Sequence, residues 1–561
     1  MTTFLGVHDG HNASLAVVRD GRVEFALQEE RLTREKNQGD APVRALAEAR
    51  EFASDTAPVG LNGHYMNYHQ WRRETIIGDY ERSSNLAGRL KQPLKGSFID
   101  RVYQRRKAQA RAETLVATGF SRDRLQPVEH HLAHASAAYY TCPWKEGRTL
   151  VLTCDGSGDR LSATVSIGEN GSLTRIAEVS EHDSIGRVYA LVTRRLAMTP
   201  LEHEYKVMGL APYAKGPEAE RAAKVLLDSF EFLPSGLAWK RKRGVPSMYA
   251  AYQWLATLTR GMRFDTLAGG AQRFIEVMLT RWVAAAVRET GIGRIACAGG
   301  VFMNVKANLA LLDLPEVEDL YVMPSCGDES NSIGAACRLA AEAGESMAPL
   351  GPIYFGEAIS NDQAEAALRS ANGRLRSHFV EDIEARTAGA LAAGKIVARV
   401  KGRAEFGARA LGNRSILARA DAPNAVRTIN QMIKNRDFWM PFAPSVLAER
   451  AADYYEKPKP VASPYMMLAF RTRAEKRQAL EAVVHPYDFT TRPQEVLEAH
   501  NPDYHRLLRE YEARTGEAAI LNTSLNLHGE PMVYRAQDAV DTFLSSGLEH
   551  MALANLWVQK A

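Results

Sequence analysis

The feature that most constrains this 561-residue chain is a pattern that occurs twice. Residues 4–7, 13–18 and 22–28 read as three short strands, separated by turns at Asp9-Gly10 and Asp20-Gly21. Further along, residues 149–153 run into Asp155-Gly156, and residues 162–167 and 173–179 follow, joined by a Glu-Asn-Gly turn. A strand, an acidic turn, a strand, a glycine turn and a strand, used twice, predict a duplicated α/β domain whose halves face each other across a cleft.

Later segments extend that reading. Helical spacing over residues 271–289 stops at Gly291, and a buried strand at 294–298 enters Gly299-Gly300. A strand at 319–323 opens into the loop carrying Asp328, ahead of an alanine-rich helix at 332–343. Strand, glycine loop and helix together aim backbone donors at a ligand. The Gly- and Pro-rich residues 344–361 predict a linker, giving a first domain of 1–345 and a second of 352–561. The second is again α/β, with a helix at 382–393, strands at 396–400 and 518–521, and a loop at 402–414 between them.

Charge and cysteines narrow the function classes. The 70 basic residues are nearly balanced by 66 acidic ones, a net +4 that argues against a nucleic-acid partner. The basic runs at 101–111 and 240–243 read as solvated faces. Five scattered cysteines form no CxxC pair, which predicts a reducing, cytoplasmic setting, and no apolar run reaches membrane-spanning length.

Three constellations can carry chemistry. In His130-His-Leu-Ala-His134 the i, i+4 spacing sets His130 and His134 on one helical face, a geometry for a divalent metal, and the turn carboxylates Asp155 and Asp328 supply oxygen ligands. His11, in the first turn at the mouth of the predicted cleft, is a candidate general base. The loop of Arg403, Arg409 and Arg414, interleaved with Gly402, Gly407 and Gly412 and followed by Lys434 and Arg436, reads as a phosphate site. Neither a P-loop nor a GxGxxG follows a predicted strand, so Gly299, Gly300 and Asn304 are the nucleotide candidates.

Taken with Tyr205-Lys-Val-Met-Gly-Leu-Ala-Pro-Tyr213, Glu405-Phe-Gly-Ala-Arg-Ala-Leu-Gly-Asn-Arg-Ser-Ile-Leu417, Pro441-Phe-Ala-Pro-Ser445 and Asn522-Thr-Ser-Leu-Asn526, these segments resemble the NodU/CmcH-type O-carbamoyltransferase family over nearly the whole chain. The resemblance implies an actin-like ATPase (Kae1-like) duplicated domain followed by a YrdC-like α/β domain. It implies carbamoyl-adenylate formation from carbamoyl phosphate and ATP with Mg2+ in the second domain, and transfer to a hydroxyl of a small molecule in the first. By the same resemblance His130, His134, Asp155 and Asp328 hold Fe2+ or another divalent metal, and Lys206 joins Gly299, Gly300 and Asn304 at the nucleotide. Arg409, Arg414, Lys434, Arg492, Asn522 and Ser524 are then expected at carbamoyl phosphate, with Lys434 and His11 catalytic. The chain departs from the family at Met440, where an arginine is usual, and around residues 485–492. Rival readings are an actin-like small-molecule kinase and a Kae1-type RNA-modification protein. The acceptor and the oligomeric state are not written in the sequence; aromatics at Tyr65, Tyr68, Trp71, Tyr249, Tyr252 and Trp254 are acceptor-loop candidates.

Overall fold

The computed structural model describes residues 2–54, 56–64, 73–82 and 98–561. The acceptor-loop candidates Tyr65, Tyr68 and Trp71 lie outside the described residues. The chain divides into two compact units, one of Met1–Glu29 and Asn37–Leu350, the other of Glu30–Lys36 and Gly351–Ala561. Among the described residues no helix is long and apolar enough to cross a membrane.

In the first unit, β1 (Thr3–His8), β2 (Ser14–Arg19), β3 (Arg22–Gln28), β4 (Val59–Asn62) and β5 (Leu125–Val128) form a sheet in the order β3-β2-β1-β4-β5. The first three strands are an antiparallel meander, and β4 and β5 run parallel to β1. Following α1 (His130–Thr141), the same plan returns. Strands β6 (Thr149–Gly158), β7 (Leu161–Glu169), β8 (Ser172–Ser180), β9 (Arg294–Ala298) and β10 (Asp319–Val322) are ordered β8-β7-β6-β9-β10 with matching directions. The unit is therefore a duplicated α/β domain of actin-like order, as the repeat predicts. One local difference is that β6 continues past Asp155 to Gly158 through an irregularity in its pairing with β7, where the sequence suggests a turn.

Strands that are covered on both faces read as nearly continuous apolar runs, and β1 is buried from Phe4 to His8. What covers β1 is α3 (Asn331–Glu342), which follows β10 but packs on β1, β2 and β4; α1 follows β5 but packs on β6 and β9. Each half lends a helix to the other half's sheet, and the two helices pack on each other. Glycines make room for this. A Cβ on Gly6 would stand 1.8 Å from the Ser332 carbonyl, and one on Gly334 would stand 1.9 Å from the Ala133 carbonyl of α1. The exchange brings the start of α3, just after Asp328, to the histidines of α1. The 27-residue helix α2 (Phe264–Thr290) ends at Gly291 in the left-handed region, φ +67°, as the predicted glycine stop requires.

The second unit is built on an eight-stranded sheet. Strands β11 (Leu375–Phe379), β12 (Val397–Val400), β13 (Arg414–Arg419), β14 (Ala443–Leu447), β15 (Gln494–Val496), β16 (Ala519–Ser524), β17 (His550–Leu553) and β18 (Leu556–Lys560) are ordered β11-β18-β17-β12-β13-β16-β14-β15. The helices Ile383–Ala392 and Pro502–Thr515 pack on each other, and the latter also packs on β14 and β16. Residues 30–36 belong to this unit although the sequence places them in the first domain. Arg31 donates to the Gly407 carbonyl at 2.5 Å, and Arg34 to those of Met532 and Pro531 at 2.7 and 2.9 Å.

The solvated-face reading of residues 101–111 is corrected at its last member. Arg111 is buried and donates from Nε to Asp9 Oδ2 at 2.8 Å, from Nη2 to Asp9 Oδ1, and to the carbonyls of Gly63 and Asn62, both at 2.6 Å. This ties the loop after β1 to the end of β4. Removing one partner of a buried pair strands the other charge, so Arg111→Met should destabilise the protein by about 3–5 kcal/mol. Urea denaturation should detect this, and Asp9→Asn added to Arg111→Met should restore part of the loss.

Candidate metal centre and anion site

The first site lies where α1, β6 and α3 converge in the first unit. One ligand atom from each of His130, His134, Asp155 and Asp328 lies within 4.8 Å of the others. His130 Nε2 is 3.5 Å from Asp155 Oδ2 and 3.4 Å from Asp328 Oδ1, which is itself 3.4 Å from His134 Nε2. Buried His130 Nε2 and Asp328 Oδ1 make no hydrogen bond among the described residues. Atoms held about 2 Å from a common ion sit about 3–4 Å apart, so the set needs only a slight contraction to take one. Two imidazole nitrogens and two carboxylate oxygens suit a divalent first-row metal.

The electrostatics point the same way. Burial works against a charge on His130, but Asp328 and Asp155 outweigh it and bring its pKa up to about 9. Burial works against the Asp328 anion too, yet His130, His134 and His8 hold its carboxyl well below the usual range. A field that favours a proton here also favours a cation.

Two of the four, His130 and Asp155, are braced by their surroundings. Glu129 caps α1 by accepting from the His131 and Leu132 N–H groups, and Asp159 accepts from the His130 N–H at 2.8 Å, satisfying donors that a helix start leaves open. A Cβ on Gly158 would stand 2.1 Å from the His130 ring. Gly299, at φ +105°, brings its backbone against Cys154 where a Cβ would lie 2.3 Å from the carbonyl, and the Gly300 N–H donates to Asp155 Oδ1 at 2.9 Å. The glycine pair expected at a nucleotide thus also fixes a metal-ligand candidate. His131 faces Thr153 at 2.8 Å; burial and its two histidine neighbours push its pKa well below the ordinary value, so it is neutral.

His8 escaped the sequence reading. It ends β1, its Nε2 is 4.0 Å from Asp328 Oδ2 and donates to the His11 carbonyl at 2.8 Å, and burial lowers its pKa to about 4. Its place at the carboxyl end of a central strand was the available signal. Asn62, at the end of β4, sets its Nδ2 2.8 Å from His8 Nδ1 and 3.5 Å from His130 Nδ1. His11 lies half-buried beside this group.

The second site gathers cations in the second unit. Lys434 is buried at the end of a π-helical turn, Asn430–Lys434, followed by Asn435 at φ +44°. Its Nζ donates to Asn526 Oδ1 at 2.6 Å and to Ser524 Oγ at 3.1 Å. Burial, then the charges of Arg436 and Lys36, push its amine well below the ordinary range. Arg492 is lowered by burial and by Arg409 and Arg436. Like charges crowded into a desolvated place repel one another, and an anion relieves that repulsion. Lys36 was missed because its segment lies far off in sequence.

Other expected ligands also make hydrogen bonds within the protein. Buried Arg414 donates to the carbonyls of Tyr534, Gly402, Asn413 and Glu357, and desolvation lowers its pKa to about 10. Asn522 donates to the Ala410 carbonyl, Ser445 Oγ and Gln494 Oε1, bracing the arginine-glycine loop. That loop is gathered by Glu405 Oε1, which accepts from the N–H groups of Leu411, Asn413 and Arg414 at 2.8, 2.8 and 3.1 Å. Asn304 caps the helix Val305–Leu312 and pairs with Gln272. Lys206 lies half-buried on the helix Glu204–Leu210, and Tyr252 and Trp254 are half-buried.

Comparison with known proteins follows the same division. Residues 3–337 match the family model described as Carbamoyltransferase N-terminus, and residues 388–560 that described as Carbamoyltransferase C-terminus. The chain is 31% identical to the nodulation protein NolNO of Sinorhizobium fredii over 98% of its own length and 79% of that protein's. It is 30% identical to protein MJ1051 of Methanocaldococcus jannaschii over 99% of both, and 33% identical to the nodulation protein NolO of Bradyrhizobium diazoefficiens over 77% and 79%. Among solved structures, full-length HypF in its phosphate- and nucleotide-bound form aligns over 62% of this chain and 56% of its own at 12% identity, with a TM-score of 0.34.

His134→Ala should lower divalent-metal affinity by at least about 100-fold, since even outer partners of metal ligands contribute about 10- to 100-fold. Elemental analysis after dialysis against a metal buffer checks this, with His131→Ala expected to retain far more metal.

Proposed function

This chain belongs to the carbamoyltransferase family and is a carbamoyltransferase enzyme, and on that premise we propose that it is an ATP-dependent O-carbamoyltransferase working through carbamoyl-adenylate. The observation that carries the proposal is the cation cluster around Lys434 in the second unit, while the histidine-aspartate centre belongs to the first. Opposite electrostatic characters suit two successive half-reactions.

In the first half-reaction carbamoyl phosphate loses inorganic phosphate to water, and an oxygen of the resulting carbamate attacks the α-phosphorus of ATP, expelling pyrophosphate. Arg409, Arg436, Arg492, Lys434 and Lys36 neutralise the phosphates, with Mg2+ accompanying ATP; Ser524 and Asn526 hold the Lys434 amine in place. This cluster supplies positive charge without an arginine at position 440, where the chain has Met440.

In the second half-reaction a hydroxyl of a small-molecule acceptor attacks the carbamoyl carbon, and AMP leaves. His11 takes the hydroxyl proton, while Gly299, Gly300 and Lys206 approach the nucleotide. A divalent metal, with Fe2+ the first candidate, would be held by His130, His134, Asp155 and Asp328 and would supply Lewis acidity toward the carbonyl or phosphate.

Lys434→Ala should lower AMP formation from ATP and carbamoyl phosphate by about 100-fold or more, as expected for a charge contact in a water-excluded site. His11→Asn should retain carbamoyl-adenylate formation and lose transfer to the alcohol. Rapid-quench analysis of the adenylate separates the steps; equal loss of adenylate in both variants would count against two sites.

A further inference from the structure

Beside Asp155 stands a cation that neither the metal centre nor the packing uses as a donor. Arg187 lies on the first-unit helix Ile185–Arg195, whose start is pressed against the strand carrying Asp155. Ser184 Oγ donates to the Asp155 carbonyl at 3.3 Å, and a Cβ on Gly186 would stand 2.7 Å from that oxygen. The Arg187 guanidinium lies over the rings of Tyr249 and Tyr80, 3.9 and 4.8 Å from their centroids. Tyr249 is itself fixed, with its hydroxyl 2.6 Å from Ser157 Oγ and 2.9 Å from Glu181 Oε2. Among the described residues no hydrogen bond or ion pair reaches the guanidinium, and its Nε is buried. Beside it the Asp155-Gly-Ser loop is open: nothing stands within 4 Å of the place a Cβ on Gly156 would occupy.

The buried Nε without an acceptor carries an unfavourable desolvation, and a guanidinium held by two rings is already oriented. The donors of a guanidinium lie in one plane, a geometry matched by two oxygens of one oxyanion, and Arg187 is half-buried. We propose that Arg187 is the phosphate anchor of the first unit, taking the phosphate of a nucleoside monophosphate ester. This rests on the two-step reading above, in which the nucleotide phosphate is the anion every turnover brings to the transfer site. As the acceptor oxygen bonds to the carbamoyl carbon, the carbon–oxygen bond to phosphate breaks. The electron pair stays on the phosphate oxygen, and the hydroxyl proton passes to the base. The negative charge on the departing AMP grows, and an anchored guanidinium stabilises that growth.

The test is calorimetric titration of the full-length Lys434→Ala, Arg492→Ala protein, whose second-unit site is weakened, with AMP and with adenosine. AMP should bind at least about tenfold more tightly than adenosine, the value of one good charge-assisted contact. Adding Arg187→Met should remove that margin, and Arg187→Lys should keep part of it. Equal binding of AMP and adenosine by the parent overturns the assignment without reference to any Arg187 variant. So does a margin that survives in an Arg187→Met protein with a cooperative melt. If the wild-type protein makes no AMP from ATP and carbamoyl phosphate, the two-step reading fails, while the AMP margin still decides for Arg187.

Discussion

The carboxylate of Asp328, 3.4 Å from the facing nitrogens of both His130 and His134, is the interaction on which the first unit's candidate metal centre depends. It exists only because two halves of a duplicated domain exchange helices. Asp328 comes from the loop before α3 and the histidines from α1; Gly334 lets α3 approach α1 and Gly6 lets it approach β1 where any Cβ would collide. The backbone geometry and the electrostatics therefore select the same point in the molecule. Asp155 arrives by a third route, on β6, with its carboxylate accepting from the Gly300 N–H.

The second unit solves the opposite problem. Where the first brings carboxylates and imidazoles together at a candidate cation centre, the second brings lysine and arginine together, and burial depresses the Lys434 amine and the Arg492 guanidinium. Like charges crowded together at low dielectric repel one another, and an anion placed among them would relieve that repulsion. Its loop is organised from below by Glu405, with Gly412 at φ +111° giving way to the Tyr504 ring.

Much of this was legible in the sequence because it is local. The duplicated meander announces itself by period-two strands and acidic or glycine turns, and the spacing of His130 and His134 is a property of any helix. What the sequence could not convey is which polar atoms meet across long separations. Arg414 is read from its residue type, and Asn522 from the family resemblance, as a carbamoyl phosphate ligand; the fold adds that their donors also meet carbonyls and neighbouring side chains. Arg111 looks like part of a solvated face and is buried on Asp9. His8 and Lys36 have no signature of spacing at all. Residue type states what a side chain can bind, and only the fold states what it has already bound.

In the proposed sequence the carbamoyl group is activated as an adenylate before it is transferred. Exchange of labelled pyrophosphate into ATP by the wild-type protein tests it most directly, because that exchange requires reversible formation of an adenylate and pyrophosphate. The account predicts exchange that depends on carbamoyl phosphate and proceeds without an acceptor. Carbamoyl transfer with no such exchange, accompanied by ADP as the nucleotide product, would contradict it.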